Sequence, residues 1–228
     1  MYRHRWQTCM LYWMGAILFL LTALGPAFAD EALFEQKKCG TCHRLSADEP
    51  AETHPAPDLF YAGDKYQHAW LIEYLQNPEI VRKMGHPRDP GFLKGEPEFK
   101  GPHMSVSKQE AESLASFLIA QRLKKLEPLS LDLKPLARGE RVRAKMLFER
   151  DHSCIACHES YNLARQPRGG VSGPSLINAG NRLQPGWVYR WLKNPKQFTE
   201  KSRMPVYELD ETQLKLMTRY VMSHKKGE

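Results

Sequence analysis

Two copies of one five-residue pattern constrain this chain more than any other feature: Cys39-Gly40-Thr41-Cys42-His43 and Cys154-Ile155-Ala156-Cys157-His158, 115 residues apart. A repeat of that kind points to a duplicated folding unit. Residues 56–78 align with 173–195 without a gap, and 9 of the 23 positions are identical. They are Pro57/Pro174, Leu59/Leu176, Ala62/Ala179, Gly63/Gly180, Gln67/Gln184, Trp70/Trp187, Leu75/Leu192, Asn77/Asn194 and Pro78/Pro195. Two units of one kind are therefore expected, at 30–126 and 138–228, joined by a linker at 127–137.

The local signals are helical in both. Trp70, Leu71, Tyr74 and Leu75 share one helical face, as do Trp187, Val188, Trp191 and Leu192, and an Asn-Pro pair stops each segment. Ser107 with Glu110, and Asp210 with Gln213, read as capping boxes opening a last helix in each unit. Amphipathic segments holding Leu33 and Phe34, or Leu147 and Phe148, precede the motifs. No alternating run is long enough for a sheet, so the fold is expected to be all-α, as two tandem domains. The linker has Pro128 and Pro135 around alternating Leu129, Leu131 and Leu133, which predicts an extended strand of chain lying on a domain surface. Residues 79–103, with four Pro and four Gly, have no counterpart of similar length in the second unit and read as an inserted loop.

Residues 1–29 read as a leader. Arg3 and Arg5 precede an apolar run, Gly25 and Pro26 break it, and Ala27-Phe28-Ala29 supplies a signal-peptidase site before Asp30. Export to the periplasm follows, with an uncleaved membrane anchor as the alternative. Cys9 leaves with the leader, so all four remaining cysteines belong to the two motifs. Residues 30–130 carry 13 Lys/Arg against 16 Asp/Glu, while 131–228 carry 18 against 10. The molecule should be electrically dipolar, a property that steers charged partners. Lys193, Lys196 and Lys201 are candidate docking residues on the basic side. The basic excess comes with no nucleic-acid motif, and export argues against nucleic acid as a partner.

Cys-x-x-Cys-His is the attachment pattern of haem c: two thiols form thioethers with the porphyrin and the following histidine binds iron. Zinc ribbons place their cysteine pairs much closer together, and a thioredoxin-like site needs a βαβ setting that the pattern lacks. The expected cofactors are two covalently attached haem c groups, bound through Cys39, Cys42, Cys154 and Cys157, with His43 and His158 as proximal ligands. Met104 and Met204 each stand between the Trp-bearing segment and the last helix, two residues before a Val, and are the expected distal ligands. His103 and Met84 are alternatives at the first iron. Met146, Met217 and Met222 read as helix core residues. His54, His68, His86, His152 and His224 read as surface residues.

This combination resembles the class I c-type cytochromes, in particular two-domain, two-haem periplasmic members. The resemblance implies that the carbonyls of Pro57 and Pro174 orient His43 and His158. It also implies that Trp70 and Trp187, with Lys65 and Arg182, lie at the haem propionates, and that first and last helices cross near Phe34 and Phe117 and near Phe148 and Tyr220. The implied function is one-electron transfer between protein partners, either as a carrier or as a subunit of a membrane respiratory complex. A catalytic two-haem enzyme, peroxidase-like or thiosulfate dehydrogenase-like, is the alternative. The latter would use a cysteine as a distal ligand, and none is left over.

Overall fold

The computed structural model describes residues 26–84, 94, 101–162 and 164–227. Most of the expected leader, most of the inserted loop and His86 lie outside them. In chain order come α1 (Pro26–Gln36), a 3₁₀ turn at Cys39–Thr41, then α2 (Ala62–Lys65), α3 (His68–Gln76) and α4 (Lys108–Ala120). The second half repeats this order. There α5 (Arg138–Met146) runs into a π-helical turn at Leu147–Asp151, followed by a 3₁₀ turn at Cys154–Ala156, α6 (Ala179–Arg182), α7 (Pro185–Lys193) and α8 (Glu211–Met222). The described residues are mostly helical. One departure is an antiparallel pairing of β1 (Ser160–Tyr161) with β2 (Pro167–Arg168), a two-residue ladder too short to leave an alternating pattern in the sequence.

Both capping boxes form. Ser107 Oγ accepts from the Glu110 backbone N–H at 3.3 Å while Glu110 accepts from the Ser107 N–H at 3.0 Å, and Asp210 and Gln213 exchange the same bonds at 2.8 and 3.2 Å. At the other end, α3 and α7 stop before Asn77-Pro78 and Asn194-Pro195, because a residue preceding proline is kept out of helical geometry. Helix crossings lie where expected: Phe34 and Phe117 meet with ring centres 5.5 Å apart, and Phe148 and Tyr220 at 5.7 Å.

The identity of Gly63 and Gly180 has a packing cause. Gly63 donates its backbone N–H to the Gln121 carbonyl at 2.9 Å, and Gly180 donates to His224 at 2.8 Å. A Cβ on Gly63 would lie 1.9 Å from the Ile119 carbonyl oxygen, and one on Gly180 would lie 2.1 Å from that of Met222. The ends of α4 and α8 thus rest directly on glycine backbone, and no side chain fits between.

Residues 127–137 are extended, with Leu129 and Leu131 packed against the core and Leu133 exposed. Arg219 of α8 holds this stretch by donating to the carbonyls of Lys134 and Pro135. Four side-chain expectations need correction. Met146 is 41% exposed, because Ala144, Leu147 and Phe148 take the inward face, whereas Met217 is buried as expected. His224 is a buried residue: its Nδ1 donates to the Tyr220 carbonyl and its Nε2 accepts from Ser160 Oγ at 2.9 Å, so its polarity is satisfied inside the fold. His152 is also half-buried, with an unpartnered Nε2, and His54 is half-buried against Glu49; only His68 of the described four is exposed.

Candidate functional site

Each Cys-x-x-Cys-His segment is entered through a residue forced into left-handed geometry, Lys38 at φ 55° and Ser153 at φ 52°. Neither is glycine, so both carry a local strain that the following turn must offset. The left-handed residue reverses the chain out of the preceding helix. His43 then donates its backbone N–H to the Cys39 carbonyl at 3.1 Å, and His158 to Cys154 at 3.0 Å, so both cysteines and the histidine ride on one tight turn.

Both imidazoles are held from behind. His43 Nδ1 donates to the Pro57 carbonyl at 2.6 Å and His158 Nδ1 to that of Pro174 at 2.8 Å. Those bonds fix the tautomer, leaving the Nε2 lone pair of each ring free for a metal. Burial, although opposed by the Pro57 carbonyl, pushes His43 down to about 4, and burial lowers His158 in the same direction, so both rings are neutral at physiological pH. The four motif cysteines form no disulfide. Burial pushes the Cys154 thiol up to about 11 and raises that of Cys39, the reverse of what a thiol redox catalyst needs.

On the distal side the two halves differ. Met204 is half-buried and packed on the core, and its sulfur accepts a hydrogen bond from Trp191 Nε1 at 3.2 Å. Met104 is 47% exposed, and its carbonyl accepts from Nδ1 of His103. The His103 ring stands 6.0 Å from that of His43 and 5.7 Å from Tyr74. Met84 is tied elsewhere, its backbone N–H donating to Val171 of the second half.

The expected propionate residues gather at the seam between the halves, but crosswise. Lys65 lies over the ring of Trp187 at 5.1 Å, and Arg182 over that of Trp70 at 5.9 Å. Each cation therefore serves the tryptophan of the other unit. Trp187 Nε1 and Arg182 Nε are buried with no partner, and the guanidinium of Arg182 has no carboxylate within ion-pair distance among the described residues. Burial holds Arg182 below its ordinary range. A buried cation and an orphaned indole N–H both call for an anion. The residues present thus fit haem c on three counts: paired thiols beside a neutral histidine, a carbonyl orienting that histidine, and unpartnered donors for carboxylates.

Sequence reasoning missed a charged cluster behind the first motif. Arg44, 1% exposed, forms a bidentate pair with Asp58 at 2.8 and 2.7 Å and also binds Glu200. Asp58 additionally accepts from Thr199 Oγ1 at 2.6 Å and pairs with Lys201, which also donates to the carbonyls of His54 and Ala56. Burial would raise the Asp58 carboxyl, but the bonds from Arg44, Lys201 and Thr199 outweigh it and bring it down to about 2. Lys201 is thus a post between the halves and not a free docking residue. The available signal was weak: Arg44 and Asp58 directly follow His43 and Pro57, but their partners in the second half are 156 and 141 residues away, beyond any local pattern.

Residues 31–121 match the family model described as Cytochrome c. No curated protein and no solved structure matches the chain. A cytochrome c domain therefore occupies residues 31–121, and a domain of that family implies covalently bound haem c and suggests haem-based electron transfer. Two tandem domains were expected; the match identifies one.

Proposed function

We propose that the whole chain is an exported two-haem electron carrier, or the electron-transfer subunit of a larger respiratory assembly, with residues 138–228 forming the second haem unit. The observation that carries this reading is the duplicated histidine site. The same left-handed residue, tight turn and histidine-to-proline-carbonyl bond occur around His158 as around His43. The first copy lies in a cytochrome c domain, and the second has the same chemistry on equivalent backbone. Haem c, when bound, supplies reversible one-electron exchange at its iron. The chain's own residues do the rest. Cys39, Cys42, Cys154 and Cys157 tether the groups, and His43 and His158 present neutral Nε2 atoms. Met204 offers its thioether at the second site; a sulfur has two lone pairs, so the bond from Trp191 leaves one for a metal. Lys65, Arg182, Trp70 and Trp187 receive the carboxylates in the seam.

Intact-mass measurement of the protein matured in its native host tests this reading. The expected result is a chain beginning at Asp30 with two haems attached, falling to one in a Cys154→Ala/Cys157→Ala variant. A single haem confined to Cys39 and Cys42 would overturn it.

A further inference from the structure

We propose that His103, not Met104, is the distal ligand of the first haem, so that the two irons are ligated differently. The inference rests on the reading that the first unit carries haem c, and three observations support it.

The first is distance. Two imidazoles bound to one metal through nitrogen, at about 2 Å each, have ring centres roughly 6 Å apart once the ring radii are added; those of His43 and His103 are 6.0 Å apart. The interplanar angle of 50° is no obstacle, because each ring can turn about its own metal–nitrogen bond. Among the described residues no three His, Cys, Asp or Glu gather around a common point, so a bare ion would be short of ligands there. Iron in a porphyrin already has four nitrogens and needs only two more.

The second is tautomer. Nδ1 of His103 is committed to the Met104 carbonyl at 2.8 Å, as Nδ1 of His43 is to Pro57 at 2.6 Å. Each ring therefore keeps only Nε2, with its lone pair, for a metal. Met104 contributes its backbone carbonyl to this arrangement.

The third comes from the repeat. Tyr74 and Trp191 occupy the same position of the duplicated helix. Trp191 touches Met204, through the bond from its Nε1 to the sulfur. Tyr74 faces His103, with ring centres 5.7 Å apart. Equivalent helix positions thus support Met204 in one unit and His103 in the other. Thioether ligation raises the potential of a haem iron, so the first haem should be the lower of the two.

Spectroscopy and potentiometry on the full two-haem protein test the assignment. In the ferric wild type, the red absorption band of thioether-to-iron ligation should have the intensity of one haem, and reduction should proceed in two resolved one-electron steps. His103→Ala should leave that band intact and make the lower-potential haem high-spin and open to carbon monoxide. Met104→Ala, which keeps the backbone carbonyl, should change neither the band nor the potentials. A thioether band worth two haems, halved by Met104→Ala, would overturn this assignment and leave the carrier reading standing. Absence of haem on Cys39 and Cys42 would overturn both. The wild-type spectrum decides even if His103→Ala fails to mature.

Discussion

Single atoms separate the two histidine sites. At the second, a Cβ on Gly173 would lie 2.7 Å from His158 Cε1 and 2.9 Å from the Cys157 carbonyl oxygen. The first unit has Ala56 at the equivalent position, and there the backbone bond to the preceding motif is 3.1 Å long, against 2.7 Å for Gly173. The turn around His158 is closed tighter than a methyl group allows. Gly173→Ala should therefore push the His158 ring off its bond to Pro174, shifting the spectrum and midpoint potential of the haem proposed at His158 and leaving that of the first unit unchanged. Redox titration monitored by absorbance checks this. An unaltered second haem would mean that the turn relaxes to the geometry of the Ala56 site.

At the scale of elements, the decisive contact is between the short helices and the terminal ones. α2 and α6 are only four residues each, too short to persist alone. They hold because the backbone of Gly63 and Gly180 is bonded to the ends of α4 and α8. Gly63→Ala and Gly180→Ala should each cost about 1–3 kcal/mol by overpacking, although alanine favours helix elsewhere. Denaturant titration measures the loss. A neutral result at either site would show that the terminal helix can slide, because the nearest atom met at each is a backbone carbonyl oxygen, which has no side-chain rotamer to give way.

Across the whole molecule the two halves meet through paired contacts, each residue answering its repeat equivalent 115 or 117 positions away. Gln67 Nε2 donates to the carbonyls of Gly180 and Leu183, and Gln184 Nε2 donates to that of Tyr66. Gln67 N–H meets the Arg182 carbonyl, and Gln184 N–H meets that of Lys65. Arg44 pairs with Glu200 at 2.7 Å while Glu159 pairs with Lys83 at 2.8 Å, the same bridge with its charges exchanged. This is the pattern of an isologous dimer built within one chain. The Asp58 cluster adds to one side only. Asp58→Asn should destabilise the protein by about 3–5 kcal/mol, as loss of one partner from a buried ion pair does. It should also flatten the acid limb of stability. A carboxylate with its folded pKa depressed to about 2 contributes fully above its unfolded value and loses that contribution as pH falls toward 2. Thermal unfolding followed from pH 5 to pH 2 checks both parts; a variant with the wild-type acid slope would remove Asp58 from this role.

Much of this molecule was legible before any coordinates. Cys-x-x-Cys-His dictates its own chemistry, because thiols and imidazole must sit on one turn. The repeat marks Pro57, Gly63, Gln67 and Trp70 because each meets a backbone or ring at a distance that few other side chains satisfy. Helix ends follow from Ser107, Asp210 and the Asn-Pro pairs, whose effects are local. Tertiary structure alone decided which unit each cation serves, that Lys201 is a post between the halves, and which of His103 and Met104 faces His43. Those outcomes depend on how two like surfaces pack and on which way a chain turns after a long insertion. Neighbouring residues in sequence carry no record of either.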